Sequence, residues 1–154
     1  MSIKIRHMLG VYEDNVMLYK KDDPLYKKAS QLRINFVRDF IIYSDPYSYA
    51  TQVERDWAYI AKREYRYKVT MRSCFDSFIL GMTGVSISTW YCRKLKLFPL
   101  IITPLAYFYF REYFLFKYNK RFFDMCNIGE QYHLGLQRNK ILKQCNEIQG
   151  VEDF

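Results

Sequence analysis

The chain has 154 residues, enough for one domain or for a small domain with a membrane anchor. Half of it is hydrophobic, yet its mean hydropathy is −0.28, so the apolar residues are concentrated rather than spread. The net charge of +8 favours nucleic acid, anionic lipid or acidic protein as partner, and the spacing of its four cysteines and two histidines excludes zinc, haem and redox-pair motifs.

The cysteines, at 74, 92, 126 and 145, form no C-x-x-C and are expected to be free and buried. Aromatic residues make up 19%, while Ala, Gly and Pro are scarce. An A/T-rich codon bias is expected to give part of such a skew, and selection the rest, so abundance alone marks no tyrosine as functional.

Residues 1–22 show no period and read as an extended arm. The opening MSIKIRHMLGVY lacks the apolar centre of a secretory signal; its Lys4 and Arg6 make a weak organelle address. Residues 23–73 read as an amphipathic helical hairpin outside the membrane. Asp23-Pro24 supplies an N-cap followed by Pro at the first helical position. Leu25, Ala29, Leu32, Phe36, Phe40 and Tyr43 then step by three and four along one helix face. Ser44-Asp45-Pro46 repeats the start signal, and Tyr49, Val53, Trp57, Ile60 or Ala61, and Tyr65 give a second face. No Gly or Pro interrupts this second helix before Gly81.

Residues 74–116 form the next block, which reads as a transmembrane helical hairpin. Cys74–Cys92 (CFDSFILGMTGVSISTWYC) carries one charge, Asp76, and Leu97–Phe110 (LFPLIITPLAYFYF) carries none. The basic link Arg93-Lys94-Leu95-Lys96 joins them. A membrane helix takes about 20 mainly apolar residues. The second arm reaches that length only if Arg111 snorkels and Glu112 pairs with it or faces protein. Pro99 falls in its first turn, and Pro104 should kink it. Residues 117–154 are a basic segment with a short helix over about 130–148, on which Leu134, Ile141, Cys145 and Ile148 share a side. The fold class is therefore all-α.

Ser77, Gly81, Gly84 and Ser88 step by four, three and four, so they share one face of the first arm. Small residues let a second backbone approach closely, which makes this the expected helix-docking face, toward a partner or toward the second arm. Asp76 is an intramembrane acid; a proton path is the sharper reading, a pair with Arg72 four residues earlier the favoured one. Lys62, Arg63, Arg66, Lys68, Arg72, Lys117, Lys120 and Arg121 flank the hairpin, against three cations in the link, so the positive-inside rule puts both termini on the matrix or cytosolic side. Of these, Arg66, Lys68, Arg72, Lys117, Lys120 and Arg121 are the candidates for binding lipid head groups. The runs KREYRYK and KYNKRFF also suit nucleic acid, but both abut the hairpin on one side, which favours anionic lipid. No nucleophile–base set, phosphate loop or paired-carboxylate constellation is present, so no enzyme, catalytic residue, metal or cofactor is expected.

In order, a Gly/Ser-bearing helix (GMTGVSIS), a basic link (RKLK), an aromatic helix (LAYFYF) and a charged aromatic exit (REYFLFKYNKRFFDM) follow one another. Over Cys74 to Asn127 this resembles the two-helix accessory subunits of mitochondrial respiratory complex I, in particular the hairpin subunit of its membrane arm. The long N-terminal region lies outside the resemblance, and the link is shorter than in that family. The resemblance implies a non-catalytic subunit of the mitochondrial inner membrane, both termini in the matrix, that braces core membrane subunits and binds lipid such as cardiolipin. An accessory subunit of cytochrome oxidase, the cytochrome bc complex or ATP synthase has the same outline. A free-standing membrane protein that shapes or tethers the bilayer and a soluble basic helical protein binding RNA or an acidic partner are the other two readings.

Overall fold

The computed structural model describes residues 23–45 and 48–149. The expected arm at 1–22, Pro46 of the second start signal and the last residues, 150–154, lie outside them. Every regular element among the described residues is helical.

Helix α1 (Pro24–Val37) starts where Asp23 caps it, its Oδ1 accepting from the Leu25 N–H at 2.9 Å, and ends in a π turn over Arg38–Ile42. The second start is later than Ser44-Asp45-Pro46 suggests. Helix α2 (Gln52–Tyr65) is capped by Thr51 in a capping box with Glu54. The T-x-x-E signature was legible at residues 51–54, but the Asp-Pro pair upstream masked it. From α2 the chain runs without a break through a π segment (Arg66–Met71) into α3 (Arg72–Cys92). Gln52 to Cys92 is thus one helical rod, about 60 Å long at 1.5 Å per residue. A short 3₁₀ turn (Phe98–Ile101) leads into α4 (Ile102–Met125), which returns along α3, and α5 (His133–Gln149) closes the fold.

The core lies at one end of this rod. Phe36, Val37 and Ile41 from α1 and its π turn meet Ala61, Tyr65 and Val69 of the rod, Phe114, Leu115, Phe122 and Phe123 of α4, and Leu134 of α5. The buried faces of the first two helices keep Ala29, Phe36, Tyr49, Ala61 and Tyr65 of the expected sets, with Leu32 and Phe40 half-buried, but differ at other positions. On α1, Tyr26, Ala29, Ser30, Arg33 and Val37 point inward while Leu25 and Tyr43 are exposed, because α1 is wedged between α4 and α5 and presents a wide arc to both. On α2 the inward residues are Glu54, Ala58, Ala61 and Tyr65, and Val53, Trp57 and Ile60 face out. The small alanines are what lets α2 approach its neighbours.

Above this base, α3 and the first half of α4 stand as a two-helix hairpin without further cover. Here the expectation of transmembrane helices needs correction: no helix among the described residues is long and apolar enough to cross a membrane. The reason lies in the arms. Ser73, Ser77, Thr83, Ser86, Ser88 and Thr89 dilute α3, and α4 is free of charge only as far as Phe110. The cysteines also divide: Cys126 and Cys145 are buried, but Cys74 and Cys92 on the hairpin are exposed.

Glu54 ties the base together. Its side chain is 1% exposed; Oε2 accepts from the Thr51 N–H at 3.2 Å, and Oε1 accepts from the Leu134 N–H at 2.9 Å, in the first turn of α5. One carboxylate therefore serves the N-terminal ends of two helices that are 80 residues apart in sequence. Burial pushes its pKa up, but the hydrogen bonds from Leu134 and Thr51 outweigh that and hold it below the usual carboxylate value. A depressed folded pKa gives stability that is present above the ordinary value of 4.5 and is lost as pH falls through the folded one. Glu54→Ala should cost ~2–3 kcal/mol in urea melts at neutral pH, because two helix starts lose their acceptor. Glu54→Gln should flatten the loss of stability that the natural protein shows as pH drops below 4.5.

Candidate functional site

The hairpin holds itself together along the small-residue face. Ser77, Gly81 and Val85 of α3 are buried, and Gly84 and Ser88 are half-buried, against Pro99, Ala106 and their neighbours on the second arm. A Cβ on Gly81 would overlap Thr103 Oγ1 and lie 3.5 Å from Leu100 Cδ2; one on Gly84 would lie 3.0 Å from Pro99 Cβ. Only glycine permits this approach, and the face is occupied by the chain's own second arm. At the tip, Arg93 closes α3 in the left-handed conformation (φ 53°). The Lys96 N–H donates to Thr89 Oγ1 at 3.4 Å, which ties the basic link back onto the arm.

The outward faces are the opposite in character. Most of the exposed large apolar side chains of the described residues lie between Phe75 and Tyr113, with Trp90 83% and Tyr91 84% exposed at the tip. The arm's hydroxyls, by contrast, are satisfied internally. Ser73 Oγ donates to the Val69 carbonyl at 2.6 Å, Thr83 to Ile79 at 2.8 Å and Ser86 to Met82 at 2.9 Å. Ser77 and Ser88 bond likewise to Cys74 and Val85. A helix in which five Ser and Thr hydroxyls bond its own or the preceding turn's carbonyls carries little polar demand from them to its surroundings.

Charge returns where the hairpin enters the base. Arg111 donates to the Tyr65 hydroxyl at 3.2 Å and to the Tyr43 hydroxyl at 3.0 Å. Glu112 pairs with Arg38 of the α1 π turn, not with Arg111. These two residues pin α4 to the base at the level where its core side chains begin. Asp76 lies 4.0 Å from Arg72 Nε, an i,i+4 pair on a half-exposed surface.

The six candidate head-group residues fall into two sets. Arg72 lies over the Phe114 ring at 5.2 Å, and Lys68 and Lys117 lie each 5.7 Å from the Tyr118 ring centre. Phe110, Phe114 and Tyr118 stack in a ladder along α4, with successive centroids 6.4 and 6.3 Å apart. Arg121 instead pairs with Glu64 at 3.4 Å, and Arg66 is exposed on the rod. Lys120 is half-buried on α4. Sequence spacing alone did not separate these sets; the i,i+4 aromatic steps 110, 114 and 118 were the available signal.

Among the described residues no three His, Cys, Asp or Glu side chains cluster to hold a metal. Burial pushes the Cys126 thiol up to about 12, so it stays protonated and unreactive at neutral pH. No protein-family model and no curated protein matches the chain.

Gly81→Leu should force the arms apart above the core, at a cost of ~1–3 kcal/mol. Hydrogen exchange should then show faster exchange in α3 beyond Ser77, with protection of α2 and α5 unchanged. Equal loss of protection everywhere would mean that the hairpin and base unfold as one unit.

Proposed function

We propose that the chain is a non-catalytic structural accessory subunit of a mitochondrial inner-membrane respiratory complex, complex I in the first place. Its base lies on the matrix side with both termini, and its hairpin inserts among the apolar flanks of core membrane subunits. The observation that carries this reading is the hairpin: two arms bound to each other by a glycine face, with their outward aromatic and aliphatic side chains uncovered. Contiguous exposed apolar surface of this kind marks a protein or membrane contact.

The internally bonded hydroxyls of α3 support the same reading, since a helix in an apolar setting must satisfy its polar groups itself. The uncharged run of α3, Ser77 to Cys92, is about 24 Å long, against a hydrocarbon thickness of about 30 Å. The hairpin is thus an inserted element that relies on neighbouring subunits and on snorkelling of Arg93, Lys94 and Lys96 at its tip. The basic residues at the hairpin's foot bind anionic phospholipid, cardiolipin being the abundant candidate. Asp76 is a pair for Arg72 and not a proton carrier.

Mitochondria extracted in mild detergent and run on a native gel should show the chain in the band that holds complex I core subunits. Co-migration with cytochrome oxidase, cytochrome bc or ATP synthase cores would move the assignment to that complex. Migration alone would overturn the reading in favour of a free-standing membrane protein, and release by alkaline carbonate in favour of a basic helical protein that acts on RNA or an acidic partner.

A further inference from the structure

We infer that Lys68, Arg72 and Lys117 form one phosphate site for a single phospholipid head group at the foot of the hairpin, distinct from the remaining basic residues. The inference rests on the membrane reading above and adds to it which cations take the ligand. Three elements of geometry carry it. First, Lys68 and Lys117, from different helical elements, hold their ammonium groups about the same Tyr118 ring. Among the described residues neither lies within ion-pair distance of a carboxylate. Two like charges on one ring repel each other, and a shared anion between them removes that repulsion. Second, Arg72 sits on the next ring of the same ladder, Phe114, and lines a cleft with Lys117, Tyr109 and Tyr113. Asp76 is the one carboxylate in that cleft, and it is engaged by Arg72, so the cleft keeps a net positive charge. Third, the ladder continues upward through Phe110 into the uncharged part of α4. Phe114 is buried and Phe110 and Tyr118 pack on the core, so the ladder holds the cations in fixed places at the foot of that uncharged run.

The depth fits. Arg72 and Lys117 lie within about 10 Å of the uncharged runs along their helices, a distance that extended side chains reduce to the head-group zone. Arg121 is already paired with Glu64, and Arg66 lies over no ring of the ladder, whereas Lys68, outside the cleft lining, reaches its edge across Tyr118.

The test uses the full chain and liposomes, either of phosphatidylcholine alone or with added cardiolipin. The natural protein should float with both and bind the cardiolipin vesicles more tightly. Lys68→Gln/Lys117→Gln should bind them about tenfold more weakly while floating unchanged with neutral vesicles. Arg66→Gln/Arg121→Gln, which removes the same charge, should lose less than half of the cardiolipin gain. Equal losses in the two variants would overturn the site in favour of diffuse attraction. Failure of the natural protein to bind neutral vesicles would sink the inserted hairpin and the site with it. Normal binding to neutral vesicles without any cardiolipin gain would sink the site alone. A rise in thermal stability with inorganic phosphate in lipid-free micelles, abolished by Lys68→Gln/Lys117→Gln, would reassign the site to a soluble phosphate compound.

Discussion

A buried carboxylate sets the frame of this molecule. Glu54 is acceptor for the first turn of its own helix and for the first turn of α5, and it does both from a nearly dry position. An unpaired charge there would be strongly disfavoured, and two helix starts without acceptors equally so. Each cancels the other. The consequence is positional: the start of α5 is tied to α2 by the Leu134 N–H, and α1 is enclosed between α4 and α5. The wide aromatic half of α4 then fills the space that remains.

From this anchored end, one helical rod carries the fold outward, and its composition changes along its length. The inward residues from Ala61 on recur every four positions: Tyr65, Val69, Ser73, Ser77, Gly81 and Val85. A step of four overshoots the turn of an α-helix, so a strict four-residue stripe drifts round a straight rod. The π segment at Arg66–Met71 turns less per residue and takes back part of that drift, which keeps the stripe facing α4. The inward side chains shrink along the stripe, from Tyr65 to Gly81. Large residues build a core that takes several helices to enclose. Small ones bring only two backbones together and turn everything larger outward.

The sequence made some of this legible and hid the rest for physical reasons. The Asp23-Pro24 start is plain because a cap acts locally, through the hydrogen bond that Leu25 donates to it. The glycine stripe is plain because close backbone approach admits few other residues. The buried faces of α1 and α2 follow the expected spacing in part: Ala29, Phe36, Tyr49, Ala61 and Tyr65 are buried, whereas Leu25, Tyr43, Val53 and Trp57 are not. Leu25, Trp57 and Ile60 are outward, whereas Ala58 is inward beside Trp57, and of the pair Ile60 or Ala61 the packing takes Ala61. Periodicity cannot tell a core face from a second apolar face. Glu54 was equally hidden as a double cap, because its second partner lies far along the chain, and Glu112 found Arg38 and not its neighbour.

The outward apolar faces are the remaining consequence of this design. Val53, Trp57 and Ile60 on α2 are exposed, and so are Tyr67, Met71, Phe75 and Ile79 on the continuing rod, the last four each offset by two from the buried stripe. Apolar side chains therefore stay outward from the base into the hairpin, across the level at which Arg66, Lys68 and Arg72 introduce charge. A hairpin that only dipped into lipid would need such residues on its arms alone. Residues of the same kind on the base below the charges instead favour protein contact at both levels, and on the proposed reading lipid would fill the places that a neighbouring subunit leaves open. On the proposed membrane reading, a hairpin too short to cross a bilayer unaided would take from neighbouring subunits the thickness that its own uncharged runs lack.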